Sequence, residues 1–280
     1  MAFAGCEVDH RNEMREYTGP AASTQTDLLA VNVRFPAGGV RLHAGRDGLL
    51  YRARITHCLA HTKESVTLSD HAEAALTASG GTLRRLDVSL SARPGGPMGF
   101  GGESNVLRLD LAAGVPQVID MNLGEGESVI DLSGIRLRDF HLTAGAGDTR
   151  VIFAEPNVEN AGRVAIEGTV GDIGVDLLGN ANAAVTVVRG GVGGIEVDMT
   201  GAWRRSASVE IDASVGDVQL KLPRNFGVRL EVGPPWRERV RLPGYARVGD
   251  VFLNEAYQRA EVALDVRVLP GIGRLNIVIE

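Results

Sequence analysis

Aromatic residues make up only 5% of this chain of 280 residues, and cysteines number two. Cys6 and Cys58 are too few for a disulfide framework and lack the spacing of a metal site. No run of about 18 apolar residues occurs, so no bilayer-spanning helix is expected. There is no block of five basic residues and no RNA-binding aromatic motif, and acidic residues outnumber basic ones 35 to 29. Together these argue against a nucleic-acid partner. The arginines at Arg84-Arg85, Arg204-Arg205 and from Arg237 to Arg241 read as solvated faces. The chain also lacks a G-x-S-x-G elbow, a Walker A loop and an H-E-x-x-H run. It therefore offers no catalytic, cofactor-binding or metal-ligating set, and no cofactor is expected.

What the chain has is glycine, 36 residues of it, within a composition that is 44% hydrophobic. Between about 118 and 223 the same phrase recurs five times: an alternating apolar run, a glycine turn, a second alternating run and a short loop. The turns are Gly124-Glu125-Gly126, Gly145-Ala146-Gly147-Asp148, Val170-Gly171-Asp172, Gly190-Gly191-Val192-Gly193 and Ser214-Val215-Gly216-Asp217. Their last glycines step by 21, 24, 22 and 23 residues. A period between roughly 20 and 50 residues marks stacked supersecondary units. Strand pairs such as 208–213 and 217–222 set Val209, Ile211 and Ala213, then Val218, Leu220 and Leu222, on one side. That is the period of half-buried strands. The fold class expected is all-β and solenoid-like, β-helix-type, with stacked two-strand coils of about 22 residues.

Domain organisation follows from where the phrase holds and where it breaks. Residues 1–27 form an N-terminal tether, polar and aperiodic from Glu7 to Asp27. Residues 28–280 form a single domain: irregular N-terminal rungs over 28–116, regular repeats over 117–232, and a capping insertion with a last rung over 233–280. An early rung is expected over 28–44, turning at Pro36-Ala37-Gly38-Gly39. Further strands are expected at 49–56, 65–69, 82–90 and 105–111. The glycine- and proline-rich stretch 91–102, with Phe100 near its tip, reads as a mobile loop. Val228–Val232 reads as a half unit, and the insertion 233–255 as a cover for the terminal rung, since an open last coil leaves unpaired edge groups.

Four sets of residues invite a chemical reading. Asp148, Asp172 and Asp217 occupy equivalent places after the turn glycine, with Glu127 offset similarly, and a carboxylate line can hold Ca²⁺. Gly194 and Arg274 interrupt that line, and an Asp bonded to its own turn backbone is the expected state. The outward acids Asp131, Glu167, Asp176, Asp198, Glu210 and Asp212 admit a carbohydrate-active β-helix enzyme, which would need a cleft with paired acids and aromatic platforms. His57, His61 and His71, with His43 and His141, lack the helical spacing of a metal pair, so solvated or capped imidazoles are expected. Cys58 reads as a small buried hydrophobe. Phe3-Ala4-Gly5-Cys6 resembles the end of a bacterial lipoprotein signal without the preceding apolar stretch; a lipidated Cys6 and a chance match both stand.

The runs Val170-Gly171-Asp172, Asp198 to Arg205, and Ile211 to Pro223 with Gly227-Val228 resemble the toastrack-type domain of LiaF-like cell-wall-active antibiotic response proteins. They are also similar to adhesin-like domains of bacterial envelopes. The resemblance covers most of 28–280, including Pro36 to Val40 and Asp47 to Tyr51. It implies a non-enzymatic, extracytoplasmic cell-envelope protein, lipid-anchored or stand-alone, that senses or restrains envelope-stress signalling by binding a protein or cell-wall partner. It brings no catalytic residues. In that family the domain often follows membrane helices, which have no counterpart here. A cytoplasmic location is the alternative.

Overall fold

The computed structural model describes residues 12–22, 26–59, 61–71, 82–93, 105–234 and 236–280. Twenty-two strands arrange into a ten-stranded and a twelve-stranded sheet that face each other. The all-β, solenoid-like reading holds. The strands are β1 (Asn12–Thr18), β2 (Thr26–Ala37), β3 (Gly39–Gly45), β4 (Tyr51–Cys58), β5 (Thr62–His71), β6 (Thr82–Ala92) and β7 (Val106–Ala112). Then come the pairs β8–β9 (Pro116–Glu125, Ser128–Asp131), β10–β11 (Arg136–Ala146, Thr149–Ile152), β12–β13 (Ala161–Val170, Ile173–Asp176), β14–β15 (Ala183–Val192, Ile195–Asp198) and β16–β17 (Ala207–Val215, Val218–Leu222). The chain closes with β18 (Gly227–Val232), β19 (Tyr245–Val248), β20 (Val251–Asn254), β21 (Ala263–Ile272) and β22 (Leu275–Ile279).

Each rung is a long strand in the twelve-stranded sheet, a glycine corner, and a short strand in the ten-stranded sheet. The rungs β2–β3, β8–β9, β10–β11, β12–β13, β14–β15, β16–β17 and β21–β22 stack in parallel register. Inward residues of both sheets interdigitate into one core, with Phe35, Phe140 and Phe153 its largest fully buried side chains. A buried Val, Leu or Ile contributes about 1.5–3 kcal/mol relative to staying wet. No single rung could shelter its own face, so the stack stabilises as a unit.

The corner glycine is obligatory. Gly126, Gly147, Gly171, Gly193, Gly216 and Gly273 all have φ between +121° and +157°, outside the range open to L side chains. A Cβ on each would lie 1.8–2.4 Å from the carbonyl oxygen of the glycine one rung below. The column therefore lets parallel corners nest at strand spacing.

Both ends depart from a simple spiral. β6 and β7 stack on β2 and β3 in parallel, with residues outside the described set between them in sequence. β4 and β5 then run antiparallel against β7 and β6. At the other end β21 inserts between β16 and β18, so the half unit β18 lies outside the last full rung rather than on β16. The insertion supplies the hairpin β19–β20, which continues the twelve-stranded sheet beyond β18.

Two further expectations are corrected here. Within the polar tether 1–27, residues 12–18 form β1, paired antiparallel with residues 52–58 of β4. Nearly every β1 side chain is exposed, so apolar periodicity gives no sign of it. Backbone pairing and ion pairs hold it instead, with Glu16 to Arg52 and Arg54 and Arg15 to Glu64. Cys58 is half-buried in the outward phase of β4 rather than a core residue.

Candidate interaction surface

The stacked corners put equivalent residues of successive rungs into straight columns about 4.8 Å apart. In five successive rungs the residue before the corner glycine points to solvent: Ala146, Val170, Val192, Val215 and Ile272 lie in register across β10, β12, β14, β16 and β21. Val170, Val192, Val215 and Ile272 are 48%, 52%, 41% and 76% exposed. Single exposed valines need no explanation, but four β-branched side chains in one unbroken line do. Sequence reasoning passed over this column; aligning the units on their glycines and reading the preceding residue would have exposed it.

On the other side of the glycines runs the acidic column. Asp148 accepts a hydrogen bond from the Asp172 backbone N–H at 2.9 Å, Asp172 from that of Gly194 at 2.6 Å, and Asp217 from that of Arg274 at 2.9 Å. The expectation of an Asp bonded to its own turn is thus corrected: each carboxylate caps the next rung. In parallel corners that neighbouring N–H is the donor left over by the ladder, so the acid satisfies it across the rung boundary. No cluster of three or more His, Cys, Asp or Glu suited to a metal occurs among the described residues. The acids line a shallow groove of about 630 Å³ on the outer face of the ten-stranded sheet, beside Arg150, Glu196 and Gln219.

Among the described residues five of the six other outward acids are engaged too, Asp212 being the exception. Glu167 and Glu210 both receive Arg189, Asp176 takes a two-pronged bond from Arg150 at 2.6 and 2.9 Å, and Asp198 holds Thr200 and lies 3.6 Å from Lys221. Asp131 caps the Ser133 N–H. Hydrogen bonding to Asp176 raises the Arg150 guanidinium further above its ordinary range. Phe140, Phe153 and Trp203 are buried in the core, so none forms an outward platform for a sugar ring. Cys6 and Phe100 lie outside the described residues.

The histidines part ways. His43 lies 3.0 Å from Asp110 and His141 3.2 Å from Asp120, both at the surface. His57 is fully buried and capped rather than solvated: its Nδ1 is hydrogen-bonded with Thr62 Oγ1 at 2.8 Å and its Nε2 lies 2.8 Å from Glu64 Oε2. Glu64 also accepts the Tyr17 hydroxyl at 2.8 Å. This clasp ties β1 and β4 of one sheet to β5 of the other. Burial pushes the Glu64 carboxyl up, but its own backbone N–H, the Tyr17 hydroxyl and the charges of His57 and Arg15 together hold it below its ordinary value.

The family model described as "N-terminal domain of toast_rack, DUF2154" matches residues 10–176, more than half of the chain. Among solved structures, a candidate cell adhesion protein from Clostridium sporogenes is similar at 16% identity, with 96% of this chain and 100% of that one covered and a TM-score of 0.47. A candidate adhesin from Bacteroides fragilis follows at 11% identity, covering 97% and 99%, with a TM-score of 0.37. No curated protein matches the chain in sequence.

Proposed function

Because the chain belongs to the family of the N-terminal domain of toast_rack, DUF2154, we propose that it is a non-enzymatic interaction module of the bacterial cell envelope. It docks a protein or cell-wall partner along the aliphatic corner column. The observation that carries this reading is the line Val170, Val192, Val215 and Ile272, exposed on a backbone whose registers are held rung by rung. An exposed aliphatic line costs solubility, and a rigid scaffold makes it a preformed contact with little ordering entropy on binding. The flanking carboxylates add selectivity by charge. On this reading the protein acts outside the cytoplasm, held to the membrane by lipid on Cys6, and works in sensing or restraining an envelope-stress signal.

The test is co-sedimentation of the purified chain with isolated bacterial cell walls and envelope membranes. Val192→Lys with Ile272→Lys should abolish sedimentation while the unfolding free energy moves by less than about 1 kcal/mol, as exposed substitutions do. Equal sedimentation of variant and parent would refute the column as the contact. Attachment at Cys6 is tested separately, by incorporation of labelled palmitate lost in Cys6→Ser.

A further inference from the structure

Every parallel strand of the twelve-stranded sheet has a short companion in the ten-stranded sheet, except β18. The companion of β18 would lie beside β22, where the ten-stranded sheet ends. β22 pairs with β17 on one side only. Its inward residues Leu275, Ile277 and Ile279 are half-buried, whereas their β17 equivalents Val218, Leu220 and Leu222 are fully buried. One more strand would close that difference.

The backbone of β22 is set for it. In a parallel ladder a residue directs its N–H and C=O to the same neighbour, and the next residue directs both to the other side. The Arg274 carbonyl accepts from the Val218 N–H and the Glu280 N–H donates to the Leu222 carbonyl. Even-numbered residues therefore face β17, and Leu275, Ile277 and Ile279 present their backbone groups to the open edge. Edge strands are normally blunted by charge. The other three sheet edges follow that rule, with Glu13, Arg15 and Glu16 on β1, Lys63 and Asp70 on β5, and Arg247 on β19. β22, Leu-Asn-Ile-Val-Ile, carries no charge at all.

A groove of about 930 Å³ lies along this edge, walled opposite Ile277–Ile279 by Pro243–Tyr245 and Asn254–Ala256 of the insertion. The Tyr245 hydroxyl, buried in that wall, has no hydrogen-bond partner among the described residues. Arg224, whose guanidinium lies 3.3 Å from the Ile279 carbonyl, marks the end of the seat that a parallel strand would reach last, and Arg259 lines the same groove. A second copy of the chain fits poorly there. Continuing the ten-stranded sheet about a two-fold axis would drive the partner's twelve-stranded sheet into the overhanging β18, β20 and β19.

We propose that β22 is a docking edge for an extended peptide, taken up as the short strand that β18 lacks. The peptide runs parallel to β22, places aliphatic side chains at alternate positions over Leu275, Ile277 and Ile279, and sets a carboxylate at its downstream end against Arg224 and Arg259. Main-chain pairing supplies the affinity and the alternate pockets the selectivity. This site is separate from the corner column and stands or falls independently of it.

The probe is a synthetic peptide with the sequence of residues 217–222, Asp-Val-Gln-Leu-Lys-Leu, bearing a free C-terminal carboxylate. Titration into the whole chain should give a Kd of roughly 100 µM, a modest strand-addition affinity. The Leu275, Ile277 and Ile279 amides should exchange quickly alone and slow at least about tenfold with peptide bound. Ile277→Pro removes an edge-facing N–H and no bond to β17, so it should abolish binding in a folded protein. Because that variant also loses a half-buried side chain, a second control leaves the protein and the inward aliphatics intact: Asp-Val-Gln-Leu-Pro-Leu, which lacks the N–H that would donate to the Ile277 carbonyl, should not bind. C-terminal amidation of the first peptide should weaken it severalfold. Unchanged edge exchange at millimolar peptide, or equal binding of the proline peptide, would overturn the proposal, and equal binding of the amide would overturn the carboxylate contact. Edge amides already protected in the free chain, with a dimeric mass, would assign the edge to a second copy and overturn the peptide.

Discussion

Gly193→Ala isolates what the corner column contributes. At Gly193 φ is +139°, and a Cβ would lie 2.0 Å from the Gly171 carbonyl oxygen and 2.5 Å from its carbon. An L residue held at such a φ costs about 1–3 kcal/mol. The overlap adds a second cost, because carbon and oxygen need about 3.2 Å and the atom in the way is backbone. Relief requires the two rungs to separate by roughly an ångström, which stretches the Gly171 N–H bond to Val192 and the Ile173 N–H bond to Gly194. Losing one or two such bonds adds about 1–3 kcal/mol, so the whole change costs about 3–5 kcal/mol. Gly249→Ala is the control: its φ is +60°, and a Cβ there meets nothing within 4 Å. It carries the backbone term alone, about 1 kcal/mol. Guanidinium unfolding followed by circular dichroism should separate the two variants by at least about 2 kcal/mol, or about 4–8 °C in melting temperature for a chain near this size. Two variants equal within 0.5 kcal/mol would refute the claim that carbonyl contact, rather than φ alone, requires glycine in the column.

Three further outcomes follow. Glu64→Gln should cost about 1–3 kcal/mol, because a neutral amide replaces the buried carboxylate that accepts the Tyr17 hydroxyl and faces Arg15. With its folded pKa below the unfolded one, Glu64 stabilises fully above the ordinary carboxylate range and loses that effect as pH falls through its lowered value. Parent and Glu64→Gln stabilities should therefore converge in acid, which urea titrations from pH 7 to pH 3 would show or deny. Tyr245→Phe should be neutral or stabilising by about 1 kcal/mol, since it removes a buried hydroxyl with no partner among the described residues. Burial pushes the Tyr245 phenol up to about 12, so the parent should lose stability between pH 10 and 12 relative to that variant. Asp172→Ala should cost about 0.5–1.5 kcal/mol and speed amide exchange at Gly194, the N–H it caps one rung on.

Much of the stack was open to reading because one backbone requirement repeats. A corner that admits no Cβ writes glycine at 126, 147, 171, 193 and 216, and the half-buried strands on either side write their alternation. The same requirement holds at Gly38 and Gly273, whose turns follow the same pattern although long excursions separate them from the run. The order of the outer strands had no local signal. That β21 lies between β16 and β18 depends on which edge is free, not on any residue pattern within β18. β1 was missed because polar pairing across an edge leaves no periodicity, and the His57 clasp because Tyr17 comes from a strand distant in sequence and Glu64, though on the next strand, belongs to the other sheet. The acidic column was placed correctly in sequence, yet its bonding partner lies one rung away, a distance that no reading of a single turn reveals.

The insertion of β21 between β16 and β18 has a bearing on how the molecule comes into being. During synthesis β18 leaves the ribosome before its neighbour β21 exists, so its buried Val228, Leu230 and Val232 can settle only when later residues arrive. A zipper that closes rung after rung from the N-terminus would attach β18 to β16 and shut out the final segment. Assembly therefore has to hold that place open until translation has passed residue 272, and the slow, chaperone-exposed interval of this protein's life belongs to its last strands.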